Sequence, residues 1–144
     1  MPVGDRRDPF RSSNFLVEMD GITRASFREC SGLDFTQDAI EYREGGDPNH
    51  TRKLTGMVKY SNITLRSGMT DDWELWEWKQ QAADGKNARR NGSIVVMNER
   101  GDEVLRWNFE GAWPTQWTGP SLNAMGNEVA IETLVLAVER VQKA

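Results

Sequence analysis

The sequence predicts a mainly β domain: a small antiparallel β-barrel or two packed sheets, one flanking α-helix at about residues 71–83, and a long extended hairpin or loop. Three observations lead there. Short stretches of apolar and polar residues alternate with period two along most of the chain, as in Phe15, Val17 and Met19 or Leu105, Trp107 and Phe109. Turn residues such as Asp20-Gly21 and Asn98-Glu99-Arg100-Gly101 separate them. Only one segment, near the middle, carries both a helix start and a helix stop. A chain of 144 residues fits one domain, and folding at this size buries roughly two-thirds of the unfolded surface.

In order, residues 1–14 read as an irregular arm containing Pro2 and Pro9, with Phe10 as its apolar anchor. Asn14 to Met19 is the first strand. Asp20-Gly21 is a hairpin turn, and Ile22 to Phe27 returns as a second strand. Cys30-Ser31-Gly32 breaks that pattern. Leu33 to Tyr42 then begins the long hairpin, and its apolar parity changes between Phe35 and Ile40, as a β-bulge or barrel corner would make it. The returning strand holds Met57, Val58, Tyr60, Ile63 and Leu65 in a half-buried pattern, with a second parity change between Tyr60 and Ile63. Residues 43–56 form a polar insert with Gly45, Gly46, Asp47-Pro48 and Gly56, in which Leu54 alone is suited to burial. Connections longer than about 12 residues without structure of their own are uncommon and usually functional or disordered. The insert therefore needs a role outside the fold of one subunit.

The helix starts at Thr70 or Asp71, where Asp71 and Glu74 fit a capping box, and Gly85-Lys86 closes it. Trp73, Leu75, Trp76, Trp78, Ala82 and Ala83 cover more of its circumference than one buried stripe needs. Either at least one of Trp73, Trp76 and Trp78 lies at a subunit interface, or all three pack under loops of the same subunit. Ser93 to Met97 pairs with Glu103 to Phe109, and Trp113 to Pro120 is an extended, kinked segment. Glu128 to Val141 has both helical and strand spacing, and its β-branched content favours the strand.

Composition removes several functions. A net charge of −4 argues against a nucleic-acid-binding surface, since phosphate contacts need clustered Lys and Arg; the doublets Arg6-Arg7 and Arg89-Arg90 read as solvated charge. The charged N-terminus lacks a signal-peptide core, and no apolar run approaches the roughly 18 residues of a membrane span. These features lead to the expectation of a protein synthesised in the cytoplasm without membrane insertion of the monomer. The single Cys30 and the single His50 have no partner in a catalytic or metal motif, and the pattern of no phosphate loop, nucleophile elbow or zinc motif implies no enzyme, no cofactor and no metal. Acidic pairs such as Asp71-Asp72 have a sufficient role at a helix start. The Asn-x-Ser/Thr triplets at Asn49, Asn62 and Asn91 are chance matches without a signal peptide. An assembly or binding protein remains.

Several motifs then occur together and in order: Phe15 to Gly21, Ser31-Gly32-Leu33, Tyr42-Arg43-Glu44-Gly45-Gly46, Arg52 to Gly56, Lys59 to Leu65 and Trp76 to Trp78. Arg90 to Ser93, Trp107 to Phe109, Ala112 to Pro114 and Gly126 to Glu132 continue the series. With these the chain resembles the tail-tube proteins of contractile-tail phages and contractile injection systems, and is similar to the haemolysin-coregulated protein of type VI secretion. The resemblance implies a small barrel with one flanking helix, a C-terminal strand at Glu128 to Val141, and hexameric rings that stack into a rigid hollow inner tube. It implies a sheath protein around the tube, a baseplate hub or spike and tube-capping proteins at its ends, and protein cargo, or DNA in a phage, in its lumen. The particle would be a phage tail or an injection device, possible to release from the cell. It also implies that Tyr42, Arg43, Glu44, Gly45, Gly46, Arg52, Lys53, Leu54 and Gly56 make contacts between rings. The alternatives are a single-ring module that binds cargo or acts like a chaperone, and a DNA-conducting phage tail tube; a hydrolase is disfavoured by the residue inventory.

Overall fold

The computed structural model describes residues 15–20, 22–24, 27–46, 49, 51–68, 73–126 and 129–144. Among them the chain runs β1 (Phe15–Met19), β2 (Ile22–Arg24), β3 (Phe27–Ser31), β4 (Phe35–Tyr42), β5 (Arg52–Tyr60), β6 (Ile63–Gly68), α1 (Glu74–Ala83), β7 (Arg90–Met97), β8 (Glu103–Thr118), β9 (Ile131–Ala137) and β10 (Arg140–Lys143). The N-terminal arm with Phe10, Asp71 of the expected capping box, and His50 lie outside the described residues.

The main sheet is antiparallel, in the order β2-β1-β7-β8-β9-β6-β3, with β10 also on β8. Its path begins and ends on β2 and β3, which are consecutive in the chain, so the sheet must curve back on itself. The long β8 makes the curve. Its first part pairs with β7, and from Trp113 onward it pairs with β9. Gly111 has φ +64°, a backbone conformation in which a side chain is strained, and the register shifts again between Pro114 and Gln116. The kink expected in the Trp113 to Pro120 segment is this shift.

Inside the curve lie Val17, Met19, Phe27, Ile63, Leu65, Ile94, Phe109, Ala112, Leu134 and Leu136. Leu75 and Trp78 of α1 complete this core from one side. The Trp78 indole Nε1–H donates to the Ala88 carbonyl at 2.5 Å, and the Arg90 guanidinium stands 5.0 Å from its ring centroid. Gly92 permits close packing of β1 on β7, because a Cβ there would lie 2.3 Å from the Glu18 carbonyl and 2.6 Å from the Phe109 ring. Across β6 and β9, the buried Ser67 hydroxyl donates to Glu132 at 3.1 Å. On the outer side, Arg106 bridges Glu18 and Glu103.

Several expectations need correction. Ile22 to Phe27 is not one strand: Ile22–Arg24 pairs with β1, while Phe27 opens β3 on β6. Cys30 and Ser31 belong to β3, and the break falls at Gly32, φ +91°. The helix begins at Glu74 with Trp73 at its N-cap and no side-chain cap bond, whereas Gly85, φ +75°, closes it as expected. The insert expected over 43–56 is shorter, since Arg52 to Gly56 are part of β5. The half-buried pattern holds for Ile63 and Leu65, both fully buried, but not for Met57 and Val58, which are exposed. The C-terminal segment is β as expected, but in two strands: Ile131–Ala137 lies between β6 and β8, and Arg140–Lys143 pairs with β8.

Candidate functional site

β4 and β5 form a separate two-stranded sheet, and the buried core takes no side chain from either strand. A lone two-stranded ribbon is at best marginally stable in water. This one is anchored at its root. Gly32 sits so close to the β5–β6 junction that a Cβ would lie 1.9 Å from the Asn62 carbonyl. The Ser61 N–H donates to the Asp34 carbonyl at 3.1 Å, and the Phe35 and Tyr60 rings stand 5.5 Å apart.

Farther out, Ala39 pairs with Thr55, Ile40 with Leu54, Glu41 with Lys53 and Tyr42 with Arg52. The parity change expected between Phe35 and Ile40 coincides with a register shift between Gln37 and Ala39. Gly56 sits at that shift. A Cβ on it would lie 2.9 Å from the Asp38 carbonyl and 3.2 Å from Ile40 Cγ1, and its carbonyl accepts from Gln37 Nε2 at 3.1 Å. Gly56 therefore serves the ribbon's own geometry, rather than belonging to the loop. Gly45 and Gly46, in contrast, have open space around them.

Tyr42, Arg43, Glu44, Gly45, Gly46, Arg52, Lys53 and Leu54 are all exposed at the outer end of the ribbon. The structure thus brings the expected contact residues together. Sequence reasoning missed the apolar surface beside them: Phe35, Ile40, Met57 and Val58 are exposed by 64, 52, 72 and 43%. Their alternation carries the signal, but alternation alone predicts burial within the subunit as readily as burial against a neighbour. Of the helix tryptophans, Trp73 and Trp76 are exposed and meet edge to face at 6.0 Å, so they remain available to a neighbour. Trp78 is fully buried in its own subunit and is not an interface residue.

The chemistry of the remaining groups is quiet. Burial, and then the charge of Glu29, push the Cys30 thiol up to about 11. At neutral pH it stays protonated, the unreactive form. Among the described residues no cluster of metal-ligating side chains occurs, and no helix is long and apolar enough to cross a membrane.

A barrel bearing a ribbon anchored only at its root, with apolar side chains in solvent and no further strand paired to it among the described residues, has the form of an assembly module. The chain belongs to the T4-like virus tail tube protein gp19 family, whose model matches residues 11–142. It is a structural tail-tube protein. Among solved structures it is similar to a chain of the PVC sheath-tube complex of an extracellular contractile injection system in the extended state, with 30% identity, TM-score 0.85, and coverage of 94% of this chain and 91% of that one. It is likewise similar to a chain in the tube-terminating cap of the anti-feeding prophage, with 29% identity, TM-score 0.88, and coverage of 99% and 95%. Hcp1 from Flavobacterium johnsoniae shares the fold at 14% identity and TM-score 0.57, over 91% of this chain and 94% of that one. No curated protein matches the chain.

Proposed function

We propose that this chain is the repeating subunit of a rigid inner tube, in which six copies close into a ring and rings stack into a hollow conduit. A heterologous contact that closes gives a ring, and one that does not close extends without limit. The observation that carries this reading is the ribbon of β4 and β5, which has exposed apolar side chains and, among the described residues, no sheet partner beyond its own two strands. Neighbouring copies would pair with its free edges and remove the aggregation hazard of an open strand. Tyr42 to Gly46 and Arg52 to Leu54 make the contacts between rings, with charged residues setting register and partner choice more than affinity.

The tube works without catalysis. A contracting sheath surrounds it and drives it through a target envelope, with a baseplate hub or spike at one end and a cap at the other. The similarity to chains from sheath-tube, baseplate and cap assemblies supports these partners. Subunits are made in the cytoplasm and become part of the particle. Protein cargo in the lumen is favoured over DNA, because the similar PVC chains at 30% identity come from an extracellular contractile injection system.

Deleting Glu44 to Lys53 tests the reading. Folded rings that do not stack are expected. Tubes of normal length in electron micrographs of that variant would overturn the assignment of this segment to ring stacking.

A further inference from the structure

The register of the ribbon holds more than a single docking surface. Between Gln37↔Val58 and Ala39↔Thr55 the chain advances two residues on β4 but three on β5. The extra residue lies at Gly56-Met57, opposite Asp38. Residues directly opposite each other share a face, and faces alternate along a strand. One face therefore carries Phe35, Val58 and Tyr60 near the root, then Ala39, Thr55, Glu41 and Lys53 towards the tip. The other carries Thr36 and Lys59 near the root, Asp38 with Met57 at the bulge, then Ile40, Leu54, Tyr42 and Arg52 towards the tip. Each face is apolar over half its length, and the apolar halves lie diagonally opposite. If the same residues paired without the bulge, Leu54 would stand opposite Glu41, on the other face from Ile40.

Resting on the tube reading above, we infer that the β5 bulge divides the ribbon into two docking surfaces that face opposite ways and engage two different copies of this chain. A single flat partner surface covers only one side of a two-stranded sheet, so two apolar patches on opposite sides require two partners. The root patch of Phe35 and Val58 lies beside its own barrel, where a copy alongside in the same ring can reach it. The tip patch of Ile40, Leu54 and Tyr42 begins five residue steps farther along β4 and ends after seven. At about 3.3 Å per residue, Tyr42 is about 23 Å from the root, far enough to reach a copy in the next ring. Heterologous contacts also need apolar ground elsewhere on the same molecule. Leu122, Met125, Val129 and Ile131 supply it, all exposed on or beside the segment that leads into β9.

Gly56 fixes the crossover point, because its position leaves no room for a side chain against Asp38 and Ile40. The bulge thus acts as a register device. It lets one short hairpin contribute to lateral closure and to axial stacking with different residues.

Three variants of the full chain test this, each examined by light scattering after gel filtration and by electron microscopy. F35T with V58T is expected to stay monomeric. I40T with L54T is expected to form rings and no tubes. Inserting one Thr after Asp38 turns the bulged pairing into a regular one and rotates Ile40, Leu54 and Tyr42 onto the face of Phe35. It alters no patch side chain, and it is expected to give rings and no tubes. Because the core takes nothing from β4 or β5, melting of the barrel should be close to wild type in all three. If both double variants arrest at the same species, or the insertion variant builds tubes of wild-type length, the two-surface inference is wrong. Failure of the wild-type chain itself to form rings would instead overturn the tube reading.

Discussion

Trp76 and Trp78 are two residues apart on one helix, and truncating them should have opposite consequences. Trp78 is fully buried, its indole N–H donates to the Ala88 carbonyl, and its ring carries the Arg90 guanidinium. Trp78→Ala loses the packing of a large aromatic, which costs about 3–5 kcal/mol with the cavity it leaves. The lost hydrogen bond adds about 1 kcal/mol and the cation–π contact about 0.5–1 kcal/mol. These terms overlap, so a total of about 4–6 kcal/mol is expected, against the 5–15 kcal/mol that typically holds a domain together. Trp78→Phe keeps most of the ring and gives up the N–H bond, for about 1–3 kcal/mol. Trp76 is 41% exposed, and Trp76→Ala should cost less than about 1 kcal/mol. Urea unfolding of the unassembled subunit, followed by far-ultraviolet circular dichroism, reads all three. If Trp78→Ala stays within 1 kcal/mol of wild type at unchanged m-value, or Trp76→Ala costs as much as Trp78→Ala, the division of this helix into core and exposed faces is wrong.

Gly32→Ala should destabilise the subunit by about 2 kcal/mol or more, because it combines a positive-φ strain with a 1.9 Å approach to the Asn62 carbonyl; a melting temperature unchanged within error would refute the packing at the ribbon root. Cys30 should react with iodoacetamide at pH 8 far more slowly than a free thiol. A rise from 9.0 to about 11 leaves on the order of a hundredfold less thiolate. Between pH 9 and 11 the unfolded chain releases this proton before the folded one does, so the thiol's contribution to stability is intact below pH 9 and is lost as pH rises through 11. Cys30→Ser should flatten that alkaline slope, and an unchanged slope would assign it to other groups.

Much of the local structure was legible in the residues. The period-two runs located β1, β7 and the first half of β8, and Asn98 to Gly101 marked the turn between the last two. Gly85 marked the helix end, and the parity change within the long hairpin coincided with a real register shift. The helix start was less clear: Asp71 and Glu74 matched a capping box, while the helix begins with Trp73 at its cap. Ile22 to Phe27 looked continuous because alternation says nothing about which strand lies alongside, and the ladder changes partner within it. The expected contact residues did come to one end of the ribbon. Gly56 did not belong with them, since its role depends on a cross-strand neighbour 18 residues away in sequence, Asp38.

Local periodicity and turn chemistry are short-range properties, so the sequence by itself determined a mainly β domain with one helix, a long hairpin and no assembled catalytic motif. Which apolar residues form the core was decided only by the tertiary structure. Val17, Ile63 and Leu65 are covered by other strands, while Ile40, Leu54, Met57 and Val58 alternate in the same way and stay in solvent. The same desolvation favours both groups. A side chain that waits for another copy of the chain therefore has the same pattern as one already buried, until the position of every strand is known.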